Sequence, residues 1–83
     1  MYSKEMKRVM SLVRREIALD RMMFRTFSNN GMLHREDILD KRTYIDGLTS
    51  GAFVFSGIKL HDYTVLKMYI IWEYRRLERV YFN

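Results

Sequence analysis

The stretch from Ser3 to Ser28 contains neither proline nor glycine, the two residues that most often interrupt a helix. Ser3 can act as an N-cap, Glu5 suits a first helical turn, and the Asn-Asn-Gly sequence at 29–31 tolerates the positive φ at which helices commonly end. At 100° per residue, seven apolar side chains share an arc of roughly 100°: Met6, Val9, Met10, Val13, Ile17, Phe24 and Phe27. The sequence therefore predicts a long amphipathic helix over about 4–28.

A second long helix is predicted at the C-terminal end. Asp62 can cap it, and no glycine or proline follows Gly57. Apolar and aromatic residues recur at steps of three and four, namely Tyr63, Leu66, Ile70, Tyr74, Leu77 and Tyr81. This spacing predicts a helix over about 62–81. Its first half is apolar almost all round, which is typical of a helix that is central to its fold or lies in a subunit interface.

The middle of the chain gives a weaker pattern. Acidic residues at 36 and 37 and a rough helical spacing of apolar residues predict a shorter helix over about 35–47. Gly47, Gly51 and Gly57 indicate a Gly-rich turn region after it. The apolar run 52–55 fits a helical continuation or a packed turn, since a lone strand would have no partner within the chain.

With 83 residues, the chain has room for one core and hence one domain, 1–83. We predict an all-α fold, a small bundle in which the first and last helices pack antiparallel with the middle segment against them. The predicted core includes Val13, Ile17, Phe24, Ile38, Ile45, Leu66, Ile70 and Leu77. A domain this small gains stability from dense aromatic packing or from a core shared in an oligomer, because the chain has no cysteine for a disulfide.

Several function classes find no support in the sequence. Without cysteine there is no thiol nucleophile and no Cys-ligated zinc, and no Gly-Lys-Ser/Thr sequence marks a phosphate loop. His34 with Glu36, Asp37 and Asp40, and the pair at 61–62, lack the spacing of a metal site. No apolar run approaches the ~18 residues of a membrane span, and the start of the chain lacks the apolar region of a secretory leader. Together these observations lead us to expect a cytoplasmic, non-enzymatic protein without cofactor, metal, small-molecule substrate or membrane span.

The clearest candidate for a binding site is a set of cations on one side of the first helix. We call it the basic face: Lys4, Lys7, Arg8, Arg14, Arg15, Arg21 and Arg25. The whole chain has a formal net charge of +5, and the basic face could bind an acidic protein surface or nucleic acid. Alternatively, it is a solvated face, or its charges pair with acids of the middle segment such as those at 36, 37, 40 and 46.

Aromatic and arginine residues also mix on the last helix. Trp72 and Phe82 fall off the apolar stripe, so we expect them to be exposed interface anchors, with Arg75 and Arg79 beside them. Aromatic residues at helical spacing more often pack in the core, so core packing is the leading interpretation for the aromatic residues of this helix as a group, and base stacking is a further alternative.

Two acidic residues, Asp20 and Glu73, lie on apolar arcs, where an unpartnered carboxylate is costly. We expect each to have a partner within the fold, such as a tyrosine hydroxyl, an arginine or His61. The alternative is a contact across an interface that fixes its specificity.

The leading hypothesis is a regulatory or inhibitory module that binds another protein through this basic and aromatic surface, as a small oligomer. The alternative is a nucleic-acid-binding protein similar in role to transcription regulators, using the basic face. A helix-turn-helix arrangement fits less well, because its recognition helix would start at 34–37 and present carboxylates to DNA phosphates.

We expect a far-UV circular dichroism spectrum dominated by helix, because the two long helices alone cover about half of the chain. A helix content below about a third would contradict the predicted fold.

Overall fold

The computed structural model describes residues 3–82 and contains three helices. They are α1 (Lys4–Asn29), α2 (Arg35–Phe55) and α3 (Leu60–Phe82). The predicted all-α bundle is confirmed. None of these helices combines the length and apolar character needed to cross a bilayer.

Both ends of α1 form as the sequence predicts. The Ser3 hydroxyl accepts a hydrogen bond from the Met6 N–H at 3.1 Å and thereby caps the first turn. At the other end Gly31 has a φ of 68°, and the Met32 N–H donates to the Phe27 carbonyl at 2.8 Å. This closing turn directs the chain back toward α2.

The middle helix is longer than predicted, and the Gly-rich turn region is correspondingly shorter. α2 continues through Gly47 and Gly51 to Phe55, so the apolar run 52–55 is helical. Each glycine costs a helix about 1 kcal/mol, but here the complete burial of Ile45 and Thr49 favours the helical state. Of the three glycines at 47, 51 and 57, Gly57 alone has a positive φ, 71°, and uses the conformational freedom of glycine to turn the chain.

α3 begins at Leu60, two residues before the predicted start. Asp62 therefore lies in the first turn of α3 instead of capping it, and its side chain is buried. An acidic residue in this position is still favourable, because the N-terminal end of a helix carries partial positive charge.

The three helices run up, down and up, so α1 and α3 are parallel, and the predicted antiparallel packing of these two helices is wrong. Two contacts show that α2 is antiparallel to α3. Arg35 at the start of α2 pairs with Glu78 near the end of α3, and Ser50 near the end of α2 hydrogen-bonds with Tyr63 near the start of α3. The N-terminal half of α1 likewise lies beside the C-terminal half of α2. Two short loops, 30–34 and 56–59, reverse the chain twice.

The core forms where the apolar sides of the helices meet. Every residue that the sequence predicts for the core is buried: Val13, Ile17, Phe24, Ile38, Ile45, Leu66, Ile70 and Leu77. The ring of Tyr74 joins them, and Ile58 adds a buried side chain from the second loop.

The two acids on apolar arcs are buried, and each has a partner within the fold, as one of the two interpretations expected. Asp20 of α1 accepts a hydrogen bond from the Tyr74 hydroxyl of α3 and lies 3.5 Å from the Lys41 Nζ of α2. Glu73 accepts a hydrogen bond from the Arg21 guanidinium. Asp20 therefore contacts both other helices from a buried position in α1.

The Asp20 contact also changes how Tyr74 titrates. Burial raises the pKa of the Tyr74 hydroxyl above its ordinary value, and the hydrogen bond to Asp20 raises this pKa further. The hydroxyl thus stays protonated in the folded state under conditions where an exposed tyrosine would ionise.

Replacing Tyr74 with Phe keeps the ring but removes the hydroxyl that donates to Asp20. We expect the free energy of unfolding at pH 8 to fall by about 1–2 kcal/mol, because a buried carboxylate loses a partner. The raised pKa of Tyr74 makes this contribution fully present below about pH 10 and progressively lost above it, where the tyrosine of the unfolded chain ionises. Urea unfolding at several pH values measures both effects. A difference between wild type and Tyr74→Phe that stays constant across pH 10 would contradict the account.

Candidate functional site

The basic face lies on the outside of the bundle, with all seven of its residues exposed. The acids of the middle segment do not neutralise it. Asp46 pairs with Lys67 of α3 at 3.4 Å and with Arg42 of its own helix at 4.0 Å, and Asp37 accepts the His34 N–H at 2.8 Å. Within residues 3–82, only Arg21 of the basic face takes part in an ion pair.

Arg21 therefore differs from its neighbours on the basic face. Its partner Glu73 is only 4% exposed, so the Arg21 guanidinium compensates a carboxylate that would otherwise be buried without a charge partner. Arg25 lies one turn further along α1, is exposed, and has no ion pair among the described residues. Arg21 therefore stabilises the fold, whereas the guanidinium of Arg25 is exposed and can contact a partner.

The predicted anchors of α3 occupy two different environments. Trp72 is 54% exposed, and the Arg76 guanidinium lies 5.7 Å from the centre of its ring. Phe82 is half buried against the core, and the Arg35 guanidinium lies 5.7 Å from its ring. The expectation that Phe82 is exposed is therefore wrong, because α2 runs alongside the end of α3. Its role as an anchor remains a prediction.

The remaining two predicted anchors, Arg75 and Arg79, are exposed near the C-terminal end of α3. They line a shallow cavity together with Arg35, Glu78 and Phe82. Arg35 pairs with Glu78 at 3.5 Å, so the carboxylate of Glu78 already has a charge partner. Arg75 and Arg79 have no ion pair within residues 3–82.

The parallel packing of α1 and α3 creates a groove between their C-terminal halves. Its volume is about 560 Å³, and we call it the α1–α3 groove: Ala18, Arg21, Met22, Arg25, Thr26, Glu73, Arg76, Leu77, Val80 and Tyr81. Met22 and Val80 are 67% and 65% exposed, so the groove offers apolar side chains to solvent. Arg25 and Arg76 also line it, and neither has an ion pair among the described residues.

The groove brings together residues that the sequence analysis assigned to separate candidate sites, and it includes residues that the sequence analysis did not single out. Arg21 and Arg25 belong to the predicted basic face, while Arg76 comes from the last helix and also contacts Trp72. Met22 and Val80 give no local signal of function. They could be found only by knowing that α1 and α3 lie side by side and point in the same direction.

The arginines that line the groove can bind anionic groups. Arginine guanidiniums stay protonated and donate hydrogen bonds in a planar fork that suits carboxylates and phosphates. Glu73 is already engaged by Arg21, and His34 and His61 are exposed outside the groove. Among residues 3–82, no three His, Asp or Glu side chains gather closely enough to hold a metal ion.

No protein-family model matches this chain, and comparisons with curated proteins and with solved structures found no significant similarity.

Two alanine variants distinguish an arginine that holds the fold from one that is free to bind. We expect Arg21→Ala to lower the free energy of unfolding by about 1–2 kcal/mol, because Glu73 stays buried without its partner. Arg25→Ala, one turn away on the same helix face, should change it by less than about 0.5 kcal/mol. Urea unfolding followed by circular dichroism measures both values, and equal losses in the two variants would contradict the assignment.

Proposed function

We propose that this protein is a non-enzymatic regulatory or inhibitory module that binds another protein through the α1–α3 groove. The observation that carries the proposal is the combination of exposed apolar side chains, Met22 and Val80, with the exposed arginines Arg25 and Arg76. Protein interfaces are enriched in methionine, aromatic residues and arginine, and their binding energy is concentrated in a few anchors of this kind.

The chemistry of the groove favours an acidic partner with apolar side chains. Its arginines can each form two parallel hydrogen bonds with a carboxylate, and Leu77 and Val80 can contact an apolar side chain next to that carboxylate. The formal charge of +5 would attract such a partner over a distance and raise the rate of association. Trp72, held beside Arg76, extends this surface along α3.

The absence of groups suited to catalysis from the groove supports the non-enzymatic part of the proposal. General acid–base catalysis works best with a side chain whose pKa lies near the working pH, and a nucleophilic hydroxyl is commonly activated by an adjacent base. Among residues 3–82, the hydroxyls that line the groove belong to Thr26 and Tyr81, its carboxylate is that of Glu73, which is engaged by Arg21, and its lining includes no histidine. Binding is the activity that these residues serve best.

Nucleic acid is the second candidate partner, and a separate part of the basic face favours it. Five exposed cations follow the N-terminal half of α1 over about 17 Å: Lys4, Lys7, Arg8, Arg14 and Arg15. None of them forms an ion pair within the part of the chain that the structure describes. Such a row can neutralise successive phosphates. Against this candidate, the start of α2 exposes Glu36 and Asp40, which would repel DNA in a helix-turn-helix arrangement.

Two double variants separate these partners. Met22→Ser with Val80→Ser removes the two most exposed large apolar side chains of the groove and keeps every charge, whereas Arg14→Glu with Arg15→Glu reverses charge on the row and keeps the groove. All four side chains are exposed, so we expect both variants to fold. Affinity capture from lysate, with and without nuclease, identifies the partner, and titration of that partner against both variants measures the loss.

We expect capture of one defined protein that survives nuclease. Its affinity should fall about tenfold or more in Met22→Ser with Val80→Ser, because anchors dominate such interfaces, and should change less in the charge variant. Recovery that depends on nucleic acid, is lost in Arg14→Glu with Arg15→Glu and falls steeply with salt would replace the protein partner with nucleic acid.

A further inference from the structure

A second exposed apolar surface lies on the opposite side of α1 from Arg21. The N-terminal half of α1 and the C-terminal half of α2 enclose a groove of about 250 Å³, whose apolar lining we call the α1–α2 seam: Val9, Leu12, Val13, Ile45, Leu48 and Ala52. Leu12 and Leu48 are 53% and 47% exposed, and Phe55, at the end of α2, is 88% exposed. These side chains remain in water in a single copy of the chain.

The bundle is more extended than a compact domain of its length. Its radius of gyration is 13.7 Å, whereas about 11.8 Å is typical of 83 residues. Its accessible surface of 5932 Å² likewise exceeds the value of about 5300 Å² typical of a monomer of its mass.

Two opposite charges lie at equal distances on either side of Leu12. Arg8 is four residues before it and Glu16 four residues after it, so all three project from neighbouring positions along one side of α1. Both charged residues line the α1–α2 seam groove. Neither forms an ion pair within residues 3–82.

This arrangement is complementary to itself. Consider two α1 helices that cross antiparallel at Leu12. A residue a given number of positions before Leu12 in one helix then faces the residue the same number of positions after Leu12 in the other helix. Arg8 then faces Glu16 of the partner subunit, and the same contact occurs a second time in the opposite sense. Such paired contacts are the mark of a two-fold symmetric interface. Moving the crossing point along α1 would separate the opposite charges.

We propose that the α1–α2 seam binds a second copy of this chain, with the two-fold axis passing beside Leu12. The apolar seams cover each other, and the two Arg8–Glu16 pairs fix the antiparallel register. This homodimer leaves the α1–α3 groove open, so it is independent of the proposed function and would present two such grooves in one particle.

Charge reversal tests the register directly. We expect the wild-type chain to sediment as a dimer at concentrations of tens of micromolar. Arg8→Glu alone and Glu16→Arg alone should each weaken self-association at least tenfold, because both symmetric contacts then join like charges. An equimolar mixture of the two variants should form a heterodimer, since each contact again joins opposite charges. The variant carrying both changes should dimerise like the wild type.

Arg14→Glu is the matched control, because it reverses a charge on the same helix outside the seam and should leave the dimer intact. Analytical ultracentrifugation measures all six samples, and circular dichroism confirms that each is folded. A wild-type chain that stays monomeric at about 1 mM would overturn the proposal. Single reversals that leave the dimer unchanged, or a mixture of the two that fails to associate, would also overturn it.

Discussion

Two buried carboxylates determine where α1 lies against the rest of the bundle. Asp20 contacts Tyr74 of α3 and Lys41 of α2, and Glu73 of α3 contacts Arg21 of α1. A shift of α1 by one turn would leave both carboxylates buried without these partners, at a cost of several kcal/mol. Apolar packing tolerates small displacements more readily than this pair of polar contacts does. The register of the three helices therefore depends on the acids at 20 and 73.

That register has consequences for both candidate surfaces. It places Arg25 and Met22 of α1 beside Arg76 and Val80 of α3, which creates the α1–α3 groove. It also uses Asp20 and Glu73 for contacts inside the bundle, and within residues 3–82 Arg21 is the one cation of the basic face that forms an ion pair. On the other side of α1, the seam with α2 keeps Leu12 in water. One set of internal contacts thus leaves a basic groove on one flank and an apolar seam on another.

The sequence predicts the elements that depend on local patterns and misses those that depend on their alignment. The spacing of apolar residues along α1 predicts both its bounds and its buried side, and Asp20 is anomalous enough in that pattern to predict a polar partner. Gly47 and Gly51 suggest a break in α2 because local propensity cannot show that neighbouring side chains are buried against other helices. The parallel order of α1 and α3 follows from the full length of α2, so the α1–α3 groove has no local signal either.

The parallel order of α1 and α3 can be measured directly, because the chain has no cysteine and accepts pairs of spin labels at chosen positions. Arg25→Cys with Val80→Cys labels two exposed positions in one groove, whereas Arg25→Cys with His61→Cys labels opposite ends of the parallel pair. Electron paramagnetic resonance should give a short distance for the first pair and a distance larger by roughly 20 Å for the second, from 1.5 Å of rise per residue and neighbouring helices about 8–10 Å apart. The reverse order of distances would show that α1 and α3 are antiparallel and would contradict the groove and the contacts that create it.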